Sequence, residues 1–242
     1  MVNKQKTHAG FTIVETTIVL AFLSILTISI VYVGIFCGKM YSKGVTLKSI
    51  NQAGREIADQ IRRDVVNSQE SDIRVVIQGN DATGQVGRIC LGSVSYLWND
   101  AKAMSMESTT KISYPNGHLV RLARISDRGG QFCEKQSDDY YPVEISSTAE
   151  YKEMVGNDSE NIMIYRLYMG DNLYSSSGSS SGMRNLSFDI GTGDFDVVEF
   201  VENEEYPNGK YMCRLSGSEE SNFNYCAIER FDTKIRSGGS SL

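Results

Sequence analysis

Glu15 is the only charged residue between Phe11 and Cys37, a run of twenty-seven residues that also lacks proline. A carboxylate there either sits near lipid headgroups and is solvated, or lies in hydrocarbon at a cost on the order of 2–4 kcal/mol and is kept for a partner cation. The other residue types able to do chemistry are sparse. There are two histidines, His8 and His118; Gly-Lys-Ser/Thr, Gly-x-Ser-x-Gly and Gly-x-Gly-x-x-Gly motifs are absent, and no catalytic constellation is legible. His118 lies beside a turn and reads as exposed. Asp189, Asp194, Asp196 and Glu199 cluster around Gly191 and Gly193 and could offer calcium hard oxygen ligands. Their spacing is not that of an EF-hand, and a solvated acidic turn explains them as well. Zinc is not indicated, because there is no Cys-x-x-Cys and both histidines are far from the cysteines. The expectation is a protein without enzymatic activity, cofactor or metal.

The element that must position Glu15 is a helix. At ~1.5 Å per residue the apolar run is roughly 40 Å long, against a hydrocarbon core of ~30 Å. It is too long for the apolar region of a secretory signal, about 7–15 residues, and no small-x-small cleavage site follows it. Beyond Cys37 the pattern becomes one apolar stripe, with Leu47, Ile50, Gly54, Ile57, Ile61 and Val65 at three- and four-residue spacing and charged residues between them. The helix is expected to fade near Asn67-Ser68, with its outer half lying on a globular domain. Gly38, Gly44 and Gly54 each weaken it by ~1 kcal/mol relative to alanine. Gly34-x-x-x-Gly38 fits a close helix-packing pattern.

In front of this helix stands a short basic leader, Lys4-Gln5-Lys6-Thr7-His8-Ala9-Gly10, followed by Phe11-Thr12-Ile13-Val14-Glu15. Basic leader, Gly-Phe junction, glutamate spacing and long apolar run together resemble the N-terminus of type IV prepilins and of the pseudopilins of secretion and competence systems. The resemblance covers about residues 4–67. It implies cleavage by a membrane-embedded prepilin peptidase between Gly10 and Phe11, methylation of Phe11, and Glu15 as the fifth residue of the mature chain. A new amine at Phe11 could then meet the Glu15 carboxylate of a neighbouring subunit in a helix bundle, which makes Phe11 and Glu15 the assembly residues. The pair would act as a register pin that penalises helices docked at the wrong height. The implied function is a structural subunit of a type IV pilus, competence pilus or type II secretion filament. At 242 residues the chain is similar to the larger minor pilins and pseudopilins, as is the stretch Lys48–Val65. The implied partners are the prepilin peptidase, other pilin or pseudopilin subunits, an inner-membrane assembly platform, and membrane lipid before assembly. The implied location is the cell membrane with a cytoplasmic N-terminus, then an extracytoplasmic filament. Lysines stand on both sides of the span, so charge counting does not decide orientation. The competing reading is a single-pass, membrane-anchored binding or sensor domain that never polymerises and keeps residues 1–10.

The expected organisation is a leader at 1–10, a span at 11–37, an amphipathic helix at 38–67, a β-rich domain at 68–236 and a disordered tail at 237–242. The fold class is α+β. Net charge is −6, and residues 38–242 carry −7 of it, which argues against a broad nucleic-acid-binding face. Strands are expected at 73–78, 87–91, 94–98, 161–169, 185–190, 196–201, 209–215 and 224–231. Strands at 111–114 and 118–125 are expected to flank Pro115-Asn116-Gly117 as a hairpin. Ser147-Thr148-Ala149-Glu150 fits a capping box opening a short helix to about Val155, and 173–182 reads as a flexible Ser/Gly loop. Tyr96, Trp98, Tyr140 and Tyr141 read as sheet or core packing, or else as contact residues. Asn157 and Asn185 match the short glycosylation pattern. Cys37 is expected to be unpaired. Cys90, Cys133, Cys213 and Cys226 are an even set in an exported domain, and disulfides are expected. Cys213 and Cys226 lie in two strand-like runs around a polar stretch and are paired; Cys90–Cys133 follows by elimination. The shorter loop would contribute roughly 3 kcal/mol.

Overall fold

A computed structural model describes residues 12–80, 84–106, 110–136, 140–155, 162–171, 183–193, 198–203, 209–214 and 226–238. The chain divides by its contacts after Ser42. Helix α1 runs from Ile13 to Val66. Thr12 starts it: its Oγ1 accepts the Glu15 N–H at 3.3 Å. It closes with Asn67 and Ser68 donating back to the Arg63 and Val65 carbonyls, while Ser68 Oγ donates to Asp64 O at 2.6 Å.

From Ile13 on, the described residues of the first unit are helix. Its large apolar side chains are exposed on every side, from Ile13 at 83% to Phe36 at 55%, and this stretch is long and apolar enough to cross a membrane. The second unit begins at Lys43. Here α1 buries one stripe, Ile50, Gly54, Ile57, Ile61 and Val65, as the sequence spacing requires, and Leu47 packs half-buried beside it.

That stripe faces two antiparallel sheets. The first is a meander of β1 (Ile73–Asn80), β2 (Gly84–Leu91), β3 (Val94–Asn99), β4 (Leu122–Ser126) and β5 (Tyr151–Glu153), in that order. The second has the order β10-β7-β6, from β6 (Ile162–Asp171), β7 (Met183–Thr192) and β10 (Ile228–Arg236). A hairpin of β8 (Val198–Val201) and β9 (Lys210–Cys213) completes the strands. Period-two alternation sorts the side chains. Ile89, Tyr96, Trp98 and Leu122 join the helix stripe, as do Leu167, Leu186, Phe188 and Ile190 of the second sheet. The reverse face of the first sheet packs Leu97, Ala123 and Ile125 under the 112–120 segment and Ile145. The reverse face of the second packs Met163 and Tyr165 against Val198 and Tyr211. A bulge between Ile164 and Arg166 shifts the register in β6, so buried residues on the helix side change from even to odd numbers.

The other expected strands are present among the described residues, with shifted ends, but of the two arms expected at 111–114 and 118–125 only Leu122–Ser126 is a strand. The Pro115-Asn116-Gly117 turn forms with Gly117 at φ 81°, Tyr114 N donating to His118 O at 2.8 Å and an isolated Ser113–Leu119 bridge. Three further expectations change. The helix expected from Ser147 does not form: Ala149 N closes a turn onto Ser146 O, and Tyr151–Glu153 pairs with β4 as Ile125↔Tyr151 and Ala123↔Glu153. One isolated turn of helix is marginal in water, and the open edge of β4 offers a ladder instead. Short helix α2 (Ala101–Ser105) was not anticipated; Asp100 caps it by accepting from Ala103 N. The tail is held further than expected, with Ser237 buried and Gly238 bridging Gln69 in parallel. The Ser/Gly loop at 173–182 lies outside the described residues, as does Asn157.

Gly54 lies against β10, where an added Cβ would stand 2.2 Å from the Phe231 ring. Gly54→Ala should therefore destabilise the domain by about 1–3 kcal/mol through overpacking. Gly34→Ala, with nothing within 4 Å of the added carbon, should leave domain stability unchanged. Urea unfolding of the two variants in detergent, followed by circular dichroism, checks the contrast.

Candidate assembly site

Gly10 and Phe11 lie outside the described residues. Glu15 lies in the first turn of α1, where the helix dipole favours an acid by about 0.3–1 kcal/mol. Its backbone N–H is taken by Thr12, but among the described residues its carboxylate accepts no hydrogen bond. The nearby hydroxyls behave differently. Thr16, Thr17, Ser24, Thr27 and Ser29 each donate to a carbonyl three or four residues back, at 2.8–2.9 Å. These hydroxyls are satisfied inside the helix, whereas the Glu15 carboxylate has no partner among the described residues. Thr12 is the residue that the sequence reading passed over, although Thr-x-x-Glu before an apolar run is the signal of a capping box. Cys37 is exposed and reduced, and Gly34, Gly38 and Gly44 have open space where a Cβ would stand.

At the other end of α1, Asp64 anchors the helix to the first sheet. The β3–β4 register sets Tyr96 opposite Arg124 on the helix-facing side. Arg124 Nε donates to Asp64 Oδ2 at 2.7 Å and its Nη2 to Oδ1 at 3.2 Å; the Tyr96 hydroxyl donates to Oδ2. Burial by itself would raise the Asp64 pKa. The hydrogen bonds from Arg124, Tyr96 and Gln60 outweigh it and hold the carboxyl below its ordinary range. Burial, then the bond to Asp64, raises the Tyr96 phenol.

The remaining expected residues resolve one by one. Asp189 is buried on β7 and its two oxygens accept from Arg230 Nε at 2.6 Å and Nη2 at 2.8 Å. A cation at Asp189 would have to displace that guanidinium, which removes the residue from the calcium set. Glu199 pairs across to Met212 on the exposed side of β8, and Asp194 and Asp196 lie outside the described residues. Among the described residues no group of three metal-ligating side chains occurs. Disulfides join Cys90 to Cys133 and Cys213 to Cys226, as expected. Tyr96 and Trp98 are fully buried, while Tyr140 is half exposed. The Tyr141 ring has two cations near its face, Arg88 at 5.3 Å and Lys135 at 5.9 Å from its centre. Arg88 is buried; it donates to Gln78 Oε1 and Pro142 O, and burial lowers its pKa to about 10, so it stays charged at neutral pH. His118 is exposed on the rim of a cleft of about 710 Å³, between the 114–119 turn and β5, where the Tyr114 and Tyr151 rings meet at 4.7 Å, tilted by 34°. The described lining of that cleft pairs no nucleophile with a base.

Comparison of the chain with protein-family models, with curated proteins and with solved structures found no match.

Because the folded pKa of Asp64 is depressed, its stabilisation is complete above the ordinary carboxylate pKa, near 4, and is lost as pH falls through the lowered value. Asp64→Asn should cost about 2–3 kcal/mol at pH 7, with Arg124 left under-partnered. The gap to the unaltered protein should narrow below pH 4. Urea midpoints at pH 7 and pH 3 measure it.

Proposed function

We propose that this chain is a non-enzymatic structural subunit of a type IV filament, a minor pilin or pseudopilin, cleaved after Gly10 and assembled through its N-terminal helix. One observation carries the reading. The only carboxylate on the apolar half of α1 sits five residues past the Gly10-Phe11 junction and has no partner among the described residues, while the hydroxyls around it are satisfied internally. In a bundle of such helices the amine of Phe11 on one subunit supplies the missing cation to Glu15 of the next. Each ion then leaves water with its mate, and a helix docked one turn too high or too low leaves both unpaired. Apolar side chains on every face of the helix support the same reading, because a helix in the centre of a bundle needs contacts all round. The disulfide-bonded β domain would be carried on the outside of the filament.

Co-expression with an active prepilin peptidase, followed by intact-mass and N-terminal analysis of the membrane fraction, tests the reading. The expected product begins at Phe11 and carries one added methyl group. A chain that retains residues 1–10 beside an active peptidase overturns the proposal in favour of a plain membrane-anchored domain. Glu15→Ala should still be inserted and cleaved. Losing one member of a desolvated pair costs ~3–5 kcal/mol, so its share of sheared filaments should fall by roughly a hundredfold or more. Incorporation at the normal level would contradict the assigned role of Glu15.

A further inference from the structure

The lysines that follow the apolar run have no part in the core. Lys39, Lys43 and Lys48 are exposed on α1, none makes an ion pair with a described residue, and the sequence contains no acidic residue between Glu15 and Glu56. Lys39 and Lys43 are four residues apart and so share a helix face. Tyr41, 76% exposed, stands between them in sequence. The twenty-three residues from Thr16 to Gly38 measure about 35 Å as helix. A ~30 Å hydrocarbon core crossed with modest tilt therefore sets Glu15 in one headgroup layer and Lys39 with Tyr41 in the other. Lys43 lies ~6 Å further along and Lys48 ~13 Å.

We propose that Lys39 and Lys43 form a binding surface for anionic lipid headgroups at the C-terminal end of the span, with Tyr41, at the same depth on the opposite side of the helix, as a separate aromatic anchor. Charge complementarity and depth select this partner. Flexible lysine stems reach phosphates spread over a surface, and an exposed tyrosine at this level is the usual interfacial anchor. The surface rests on the membrane-spanning reading of α1 and not on filament assembly. It gives these cations a partner in either orientation of the chain, which resolves why lysines stand on both sides of the span.

The test uses the full chain reconstituted in vesicles of equal phosphatidylcholine and phosphatidylglycerol, extracted in mild detergent, with retained lipids counted by native mass spectrometry. Each lysine near the surface should contribute on the order of a fivefold preference for the anionic lipid. Lys39→Gln with Lys43→Gln should abolish the preference, the corresponding arginine pair should keep it, and Lys48→Gln should change it least. Raising salt to 1 M, where the screening length is about 3 Å, should erase it, whereas millimolar glycerol phosphate should not, since a free phosphate lacks the membrane surface. Equal retention of both lipids by the unaltered protein overturns the proposal, as does a preference that survives the glutamine pair. Displacement by glycerol phosphate would reassign the lysines to a soluble anion. Protein that washes from the vesicles in alkaline carbonate would refute the span itself, and none of these results bears on cleavage at Gly10.

Discussion

One helix has to satisfy two solvents, and the rest of the molecule follows from that constraint. From Ile13 to Phe36 α1 is apolar all round, so its stable environments are hydrocarbon or a bundle of like helices. From Ile50 to Val65 it is apolar on one stripe only, so it needs a folded partner on one side and water on the other. The two sheets supply that partner. Their inner faces are built to receive the stripe, down to the removal of a side chain at Gly54 for Phe231 and at Gly87 for Trp98, where an added Cβ would overlap the ring in each case. Glycine here is not a matter of backbone freedom but of a ring taking the space of a methyl group.

Treatment of charge separates the two parts of the chain. Among the described residues of the domain the buried acids Asp100, Asp127 and Asp189, and the partly buried Asp64, are all answered. Asp100 accepts from the Gln85 and Ala103 N–H groups. Asp64 has Arg124 and Tyr96, Asp189 has Arg230, and Asp127 accepts from Ser95 Oγ and from the N–H groups of Gln131 and Phe132. An unanswered acid in such surroundings would be neutralised or would cost several kcal/mol. Glu15 differs, because no described residue donates to its carboxylate while the serine and threonine hydroxyls from Thr16 to Ser29 bond within the helix. Before any assembly it can rest at the headgroup level, where water solvates it. Under the proposed assembly, its desolvation would come only when helices gather, and the cation would come from outside the subunit.

The disulfides and the Asp64 cluster act on different links of the chain. Cys90–Cys133 joins β2 to a segment forty-three residues on, and Cys213–Cys226 joins β9 to the start of β10. Both restrict the unfolded chain more than they shape the folded one. Asp64 instead fixes where the helix sits on the sheet, since its partners are set opposite one another by the β3–β4 register. A carboxylate near a helix C-terminus runs against the dipole, and the bidentate arginine offsets that cost.

The amino-acid sequence alone determined the long helix, its change from all-round to one-sided apolarity, the lone acid within it, the strand-rich remainder and the disulfide pairing. These are local or periodic signals: a run of apolar residues, a 3.6-residue stripe, a two-residue alternation, an even number of cysteines. Only the tertiary structure decided that residues 151–153 extend as an edge strand, because the winning ladder is supplied by β4, remote in sequence. The pairing of Asp64 with Arg124 was likewise invisible, since sixty residues separate them and only strand register sets them together. Asp189 looked like a metal ligand for the same reason: its arginine lies forty-one residues away on a neighbouring strand. A charge's neighbours in space decide its chemistry, and the chain order names only its neighbours in sequence.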